Sequence, residues 1–243
     1  MRDTNLVRDR RATLRELEST HGRSWRRRLR AVRKRATWKL VVGGTRAIKR
    51  GIDLVGSLAG LVVCAPLLLF VAACIKLTDR GPVFYIAARV GRHGRTFPFP
   101  KFRSMVVNAE ARLAALREQN QHEDGRTFKM KRDPRITWIG RIIRRLSIDE
   151  LPQLWCVLIG DMSLVGPRPP IPSEVATYTL SDRRRLAIKP GLTCIWQISG
   201  RSEIPFPEQI RLDLLYIRSR SLRTDLGIVL RTIPAVLTGR GAY

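Results

Sequence analysis

From Leu54 to Ile75 the chain runs for 22 residues without a charge, bounded by Asp53 and Lys76. As a helix, such a run covers the roughly 30 Å apolar slab of a bilayer. A buried helix in a soluble domain seldom combines this length with such uniform polarity, so the run points to a fold that meets lipid. Two features oppose a simple span. Pro66 stands at the midpoint, in Cys64-Ala65-Pro66-Leu67, where it removes a helix hydrogen bond and bends the axis. Basic residues flank both ends, Arg46, Lys49 and Arg50 before and Lys76 and Arg80 after, and positive charge marks the cytoplasmic side. A re-entrant membrane helix hairpin over residues 46–80, entering and leaving by one leaflet, satisfies both features; a kinked span is the alternative. A signal peptide would carry its apolar core near the N-terminus, not after 53 mostly polar residues.

Charge narrows the partners. Lys and Arg number 46 against 20 acids, a net charge of +26, and residues 1–50 hold 17 of those cations against four acids. Such an excess calls for a polyanion: a nucleic acid, an anionic lipid surface or a phosphorylated substrate. Residues 1–45 read as a basic N-terminal arm, either an amphipathic helix on anionic membrane lipids or a disordered segment. Cys64, Cys74, Cys156 and Cys194 have neither CxxC spacing nor a histidine cluster, which fits a reducing compartment and indicates no zinc site.

Residues 81–243 read as one further domain after the apolar run. Val83–Ile86 and Phe97–Arg103, around Gly91-Arg92-His93-Gly94-Arg95, predict a small β-hairpin that crowds Arg89, Arg92, Arg95, Lys101 and Arg103 together. A solvated basic face is the plain explanation and phosphate binding the functional one. A helix is expected within 104–120, followed by a polar loop over 121–131. Trp138, Ile139, Ile142, Ile143 and Leu146 keep helical spacing, with arginines on the remaining positions, so this helix either half-sinks into headgroups or packs on a core. Trp196–Arg201 looks β-like, while 209–217 and 222–237 look like amphipathic helices. The class is α+β and mostly helical, with interfacial amphipathic helices beside the re-entrant segment.

Asp149 and Glu150 stand side by side in a basic, apolar neighbourhood, three and two residues ahead of Pro152. A helix starting near Asp149 would make Asp149 an N-cap, or let Ser147 and Glu150 form a capping box. Successive helical residues diverge by about 100°, however, so two adjacent acids can also face two different groups. Arg168, between Pro167 and Pro169, is aimed at low entropic cost, and Arg201 follows Gly200.

In order along the chain, these stretches resemble one family. Lys49-Arg50-Gly51-Ile52-Asp53, Lys101-Phe102-Arg103-Ser104-Met105, Asp133-Pro134-Arg135-Ile136-Thr137, Asp149-Glu150-Leu151-Pro152-Gln153 and Gly160–Pro169 carry the match, with Lys189–Thr193 and Leu212-Asp213 in agreement. Together they are similar to the bacterial sugar transferases, the monotopic phosphoglycosyl transferases that act on polyprenyl phosphates. The terminal Arg240-Gly241-Ala242-Tyr243 resembles the exopolysaccharide and O-antigen branch, which initiates with a hexose 1-phosphate.

The resemblance implies transfer of a sugar 1-phosphate from a UDP-sugar to undecaprenyl phosphate, with release of UMP, at the cytoplasmic face of the bacterial inner membrane. It implies Asp149 as the nucleophile, Glu150 as a ligand of Mg²⁺, Lys101, Arg103, Arg168 and Arg201 as phosphate contacts, and Asp213 as a supporting carboxylate. Three positions depart from the family pattern: Ala65 where serine is usual, Cys156 where asparagine is common, and Ser219-Arg220-Ser221 in place of Asn-Trp-Ser. The competing class is a basic membrane-surface or nucleic-acid-binding protein without catalysis. The apolar run and the lack of a nucleic-acid-binding motif argue against a nucleic acid partner.

Overall fold

The computed structural model describes the backbone of residues 3–116 and 133–238. The loop expected over 121–131, the terminal Arg240–Tyr243 and most side chains of the basic arm lie outside the described residues. The chain forms two compact units, Met1–Arg50 and Gly51–Tyr243. In the first, the described backbone is helical. The second holds every other element and has the mostly helical α+β character expected of it.

Helix α1 is assigned over Asp3–Asp79 and contains Pro66. The helical assignment runs through Pro66, with residues on both sides of it in α1. A proline deletes a single hydrogen bond, which a long helix absorbs as a bend, and Ala65 offers no hydroxyl to stabilise a freed carbonyl. The burial pattern has the same periodicity. Asp53, Ser57, Val71 and Ile75 are buried, with half-buried Gly60, Cys64 and Leu68 between them, and the spacing stays at three or four residues across the proline. The other face exposes Leu58, Val62, Val63, Leu69 and Phe70. Residues Gly43–Asp79 are long and apolar enough to cross a membrane.

Both ends of the apolar run pack on the rest of the second unit. At one end, Asp53 is 4% exposed, and its Oδ1 accepts from Ser163 Oγ and Leu164 N, each at 3.0 Å. At the other, Val71 and Ile75 join a core cluster with Phe102, Ile139 and Ile143, and Asp79 pairs with Arg103. Removing the Asp53 carboxylate would strand two donors beneath α1. Asp53→Ala is expected to cost about 3 kcal/mol of stability, read as a lower unfolding midpoint in detergent.

The hairpin pairs β1 (Phe84–Val90) with β2 (Thr96–Phe102) in antiparallel register, from Phe84 opposite Phe102 to Val90 opposite Thr96. Pro98 and Pro100 are tolerated in β2 because a two-stranded sheet leaves one edge of each strand unpaired. His93, in the turn, has a φ of 59°. Phe97 and Phe99 point to a second cluster with Cys156, Val157 and Met162. Helix α2 covers Ala109–Leu116. Helix α3 (Trp138–Arg145) starts at Thr137, whose Oγ1 accepts from Gly140 N at 3.0 Å. It uses both of its apolar edges: Ile139 and Ile143 are buried, while Trp138 and Ile142 are exposed.

A tight turn over Ile148–Gln153 leads into α4 (Leu154–Ile159), which ends at Gly160 with a φ of 102°. The short strands β3 (Ser163–Val165) and β4 (Gly191–Thr193) then pair in parallel, either side of α5 (Pro172–Ala176) in sequence. Their glycines explain the pairing. A Cβ on Gly191 would meet Gly166 N at 2.0 Å, so the two backbones approach as only glycines permit. Three helices close the chain: α6 (Ile195–Ser199), α7 (Phe206–Ser219) and α8 (Leu222–Thr238). The strand character expected of Trp196–Arg201 is overturned by α6. The Trp196/Ile198 alternation is too short to separate a period of 2 from one of 3.6, and packing of Ile195 and Ile198 against Val165, Tyr216 and Ile228 decides it.

Candidate active site

A cavity of about 740 Å³ opens between the hairpin, the turn before α4, the loop after β3, and helices α6 and α8. Lys101, Asp149, Glu150, Arg168 and Arg201 all line it. Arg103 and Asp213, named beside them from the sequence, do not. Arg103 is buried against Asp79 at the end of α1, and Asp213 is fully buried on α7 in an ion pair with Arg185 at 2.6 Å.

The local backbone sets the acidic pair apart. Ser147 adopts a left-handed φ of 53° and its side chain makes no capping bond, so the capping box that this spacing allows does not form. The tight turn that follows, over Ile148–Gln153, carries Pro152. It buries Asp149 and turns Glu150 towards the hairpin.

Glu150 is held by two cations. Lys101 Nζ donates to its Oε1 at 2.8 Å, and the Arg168 guanidinium spans both oxygens at 2.5 and 3.1 Å. Burial pushes its carboxyl up, but Arg168 and Lys101 outweigh burial and hold it well below the usual carboxylate range. Asp149 stands differently. It is 8% exposed, accepts no hydrogen bond from the described residues, and lies 4.0 Å from Lys101 Nζ. Burial pushes its carboxyl up to about 6; Lys101 opposes this and the Glu150 charge adds to it. Two neighbouring carboxylates thus stand in different environments: one is held as an anion, while the other is unbonded and more basic.

A two-carboxylate donor set suits a hard divalent cation, which takes one or two carboxylates and keeps water and substrate oxygens. No group of three or more Asp, Glu, His or Cys that could hold a metal occurs among the described residues. Glu150 Oε2 accepts a single bond and retains a lone pair, and Asp149 retains both its oxygens, so the residues present fit Mg²⁺ bound jointly with a substrate.

Arg168 is positioned from behind. Gly191 N donates to Pro167 O at 2.8 Å and Gly166 N to Thr193 O at 3.1 Å, clamping the Gly166–Pro169 turn onto β4. Arg185 Nη2 reaches the Arg168 carbonyl at 3.4 Å, while Arg185 is itself fixed by Asp213, by Glu174 at 3.1 Å and by Tyr178. Burial pushes the Asp213 carboxyl up to about 6, against the pull of Arg185. Asp213→Asn would leave the buried Arg185 guanidinium with Glu174 as its one remaining carboxylate among the described residues and is expected to cost about 3 kcal/mol, measurable by thermal unfolding.

The bacterial sugar transferase model matches residues 44–239. The chain belongs to the bacterial sugar transferase family. Among members of the family, it is 48% identical over 195 residues to the galactosyl transferase CpsE of Streptococcus agalactiae, covering 80% of this chain and 43% of that protein. It is 43% identical over 203 residues to the undecaprenyl-phosphate galactose phosphotransferase of Salmonella typhimurium, covering 82% of this chain and 42% of the relative. With the exopolysaccharide production protein ExoY of Rhizobium meliloti it shares 40% identity over 198 residues, covering 80% of the chain and 88% of the relative. This sugar transferase thus spans under half the length of the first two and most of the third.

Two further cations line the cavity that the sequence does not single out as sites. Arg89 was visible only as one of a crowd of hairpin arginines; strand alternation with Tyr85 and Ala87, opposite Lys101, separates it from exposed Arg92 and Arg95. Arg144 also lines the cavity, from the last turn of α3.

Proposed function

We propose that this sugar transferase moves a hexose 1-phosphate from a UDP-hexose to undecaprenyl phosphate, releasing UMP, as the first step of exopolysaccharide or another surface glycan. The observation that carries it is the split pair: an unbonded, basic Asp149 beside a Glu150 fixed by Lys101 and Arg168, in one cavity. The relative named as an undecaprenyl-phosphate galactose phosphotransferase supports the substrate class.

In the first step an Asp149 oxygen attacks the sugar-linked phosphorus of the donor. A P–O bond forms, the bond to the UMP oxygen breaks, and UMP leaves with that electron pair. In the second, an oxygen of undecaprenyl phosphate attacks the same phosphorus. The acyl phosphate bond breaks, Asp149 returns as a carboxylate, and the lipid carries the sugar through a diphosphate. Lys101, Arg168 and Arg201 draw charge from the phosphoryl oxygens as it redistributes. Mg²⁺, if held by Glu150, would supply Lewis-acid neutralisation of the diphosphate.

The acceptor's phosphate sits at headgroup level and the donor is cytosolic, so the cavity belongs at the cytoplasmic face of the inner membrane. The apolar run supports this placement, since both its ends pack on the rest of the second unit, whereas a passage across the bilayer would separate them. Exposed Trp138 and Ile142 on α3, with Arg141 and Arg145, suit an anionic headgroup layer. Incubating the protein with a panel of UDP-sugars, undecaprenyl phosphate and Mg²⁺ tests the function. UMP is expected with a UDP-hexose; release of UDP instead would mean transfer of the sugar alone.

A further inference from the structure

Lys101, Arg168 and Arg89 line the hairpin end of the cavity, and they are not equivalent. Lys101 and Arg168 are committed to Glu150. Arg89 faces no carboxylate in hydrogen-bond contact among the described residues, although it lines the same cavity. Its strand position fixes this placement. Arg89 and Lys101 project from the same face of the hairpin, and both lie over the Phe99 ring, at 5.3 and 5.6 Å from its centre.

A single bond ties its guanidinium down, from Nη1 to the Pro169 carbonyl at 3.3 Å, which sets it beside the turn that holds Arg168. Its Nε is buried with no acceptor. Burial and then the like charge of Arg168 press its pKa down to about 10. A buried guanidinium with idle donors and a neighbouring cation is costly by itself. An oxyanion between the two forks would satisfy those donors and screen the repulsion, and a phosphate matches a guanidinium's paired N–H geometry.

We propose that Arg89 is a phosphate-binding residue, whose guanidinium grips, together with Arg168, a phosphate oxyanion of a substrate. The identity of that substrate rests on the proposed function; the anion site does not. The shared chemistry has two sources, the diphosphate of the nucleotide donor and the phosphate of the lipid acceptor.

The test is calorimetric titration of the full chain in detergent with inorganic pyrophosphate, comparing the wild type with Arg89→Gln and Arg89→Lys. Arg89→Gln is expected to weaken pyrophosphate binding at least about tenfold, with Arg89→Lys in between because it keeps the charge and loses the fork. An affinity within about twofold of wild type in Arg89→Gln overturns the site; should that variant not fold, unchanged affinity in Arg89→Lys does so. Parallel titrations with UDP-hexose and with undecaprenyl phosphate assign the source, by which of the two ligands loses affinity. Pyrophosphate binding that depends on Arg89, in a protein that releases no UMP, keeps the site and removes the functional proposal. UMP release with unaltered binding in Arg89→Gln does the reverse.

Discussion

Asp149→Asn is expected to lower turnover by about 10⁴-fold or more while leaving folding and membrane extraction intact. Asparagine matches aspartate in size but offers a weakly nucleophilic amide oxygen, so the first P–O bond does not form. Stability should not fall, because the Asp149 carboxylate accepts no bond from the described residues and its burial opposes ionisation. The sign of the pH dependence follows from the same burial. With its carboxyl raised to about 6, Asp149 binds a proton more readily in the folded chain than in the unfolded one. Wild-type turnover is therefore expected to rise with pH through about 6 and to level off above it. This ionisation lowers stability as pH rises from about 4 to about 6. Rates of UMP release and unfolding midpoints across that range check both trends.

The second large effect is expected from Glu150→Gln. The amide keeps the shape but cannot neutralise Lys101 and Arg168, which then act on Asp149 without competition. Turnover should fall about 10²- to 10³-fold. The acidic limb of the pH profile should also move below its wild-type position, because a like charge has gone and two cations are released towards Asp149. A limb that stays in place would mean that Glu150 does not set the basicity of its neighbour.

Much of this site was legible from the chain. The acidic pair and the Pro-Arg-Pro turn stand out along the chain, and the structure brings Lys101, Asp149, Glu150, Arg168 and Arg201 to one cavity. What stayed hidden depends on partners distant in sequence. Arg103 and Arg89 look alike in a basic hairpin; only the register, with Asp79 waiting at the end of α1, sends one away from the cavity and the other into it. Asp213 gave no hint that its partner is Arg185, 28 positions earlier, or that the pair supports the Arg168 turn from behind. The Ser147–Glu150 spacing satisfies a capping rule, but long-range cations outcompete a local backbone donor for the Glu150 carboxylate. Pro66 is strong punctuation locally, but the buried stripe on either side of it keeps one helical period.

The most direct test is the intact mass of the protein after incubation with UDP-hexose and Mg²⁺ in the absence of lipid acceptor. A gain equal to one hexose phosphate, mapped to the peptide containing Asp149, absent from Asp149→Asn and discharged when undecaprenyl phosphate is added, is the predicted result. UMP release in the presence of acceptor with no such adduct at any time, or an adduct that persists in Asp149→Asn, would contradict a nucleophilic Asp149.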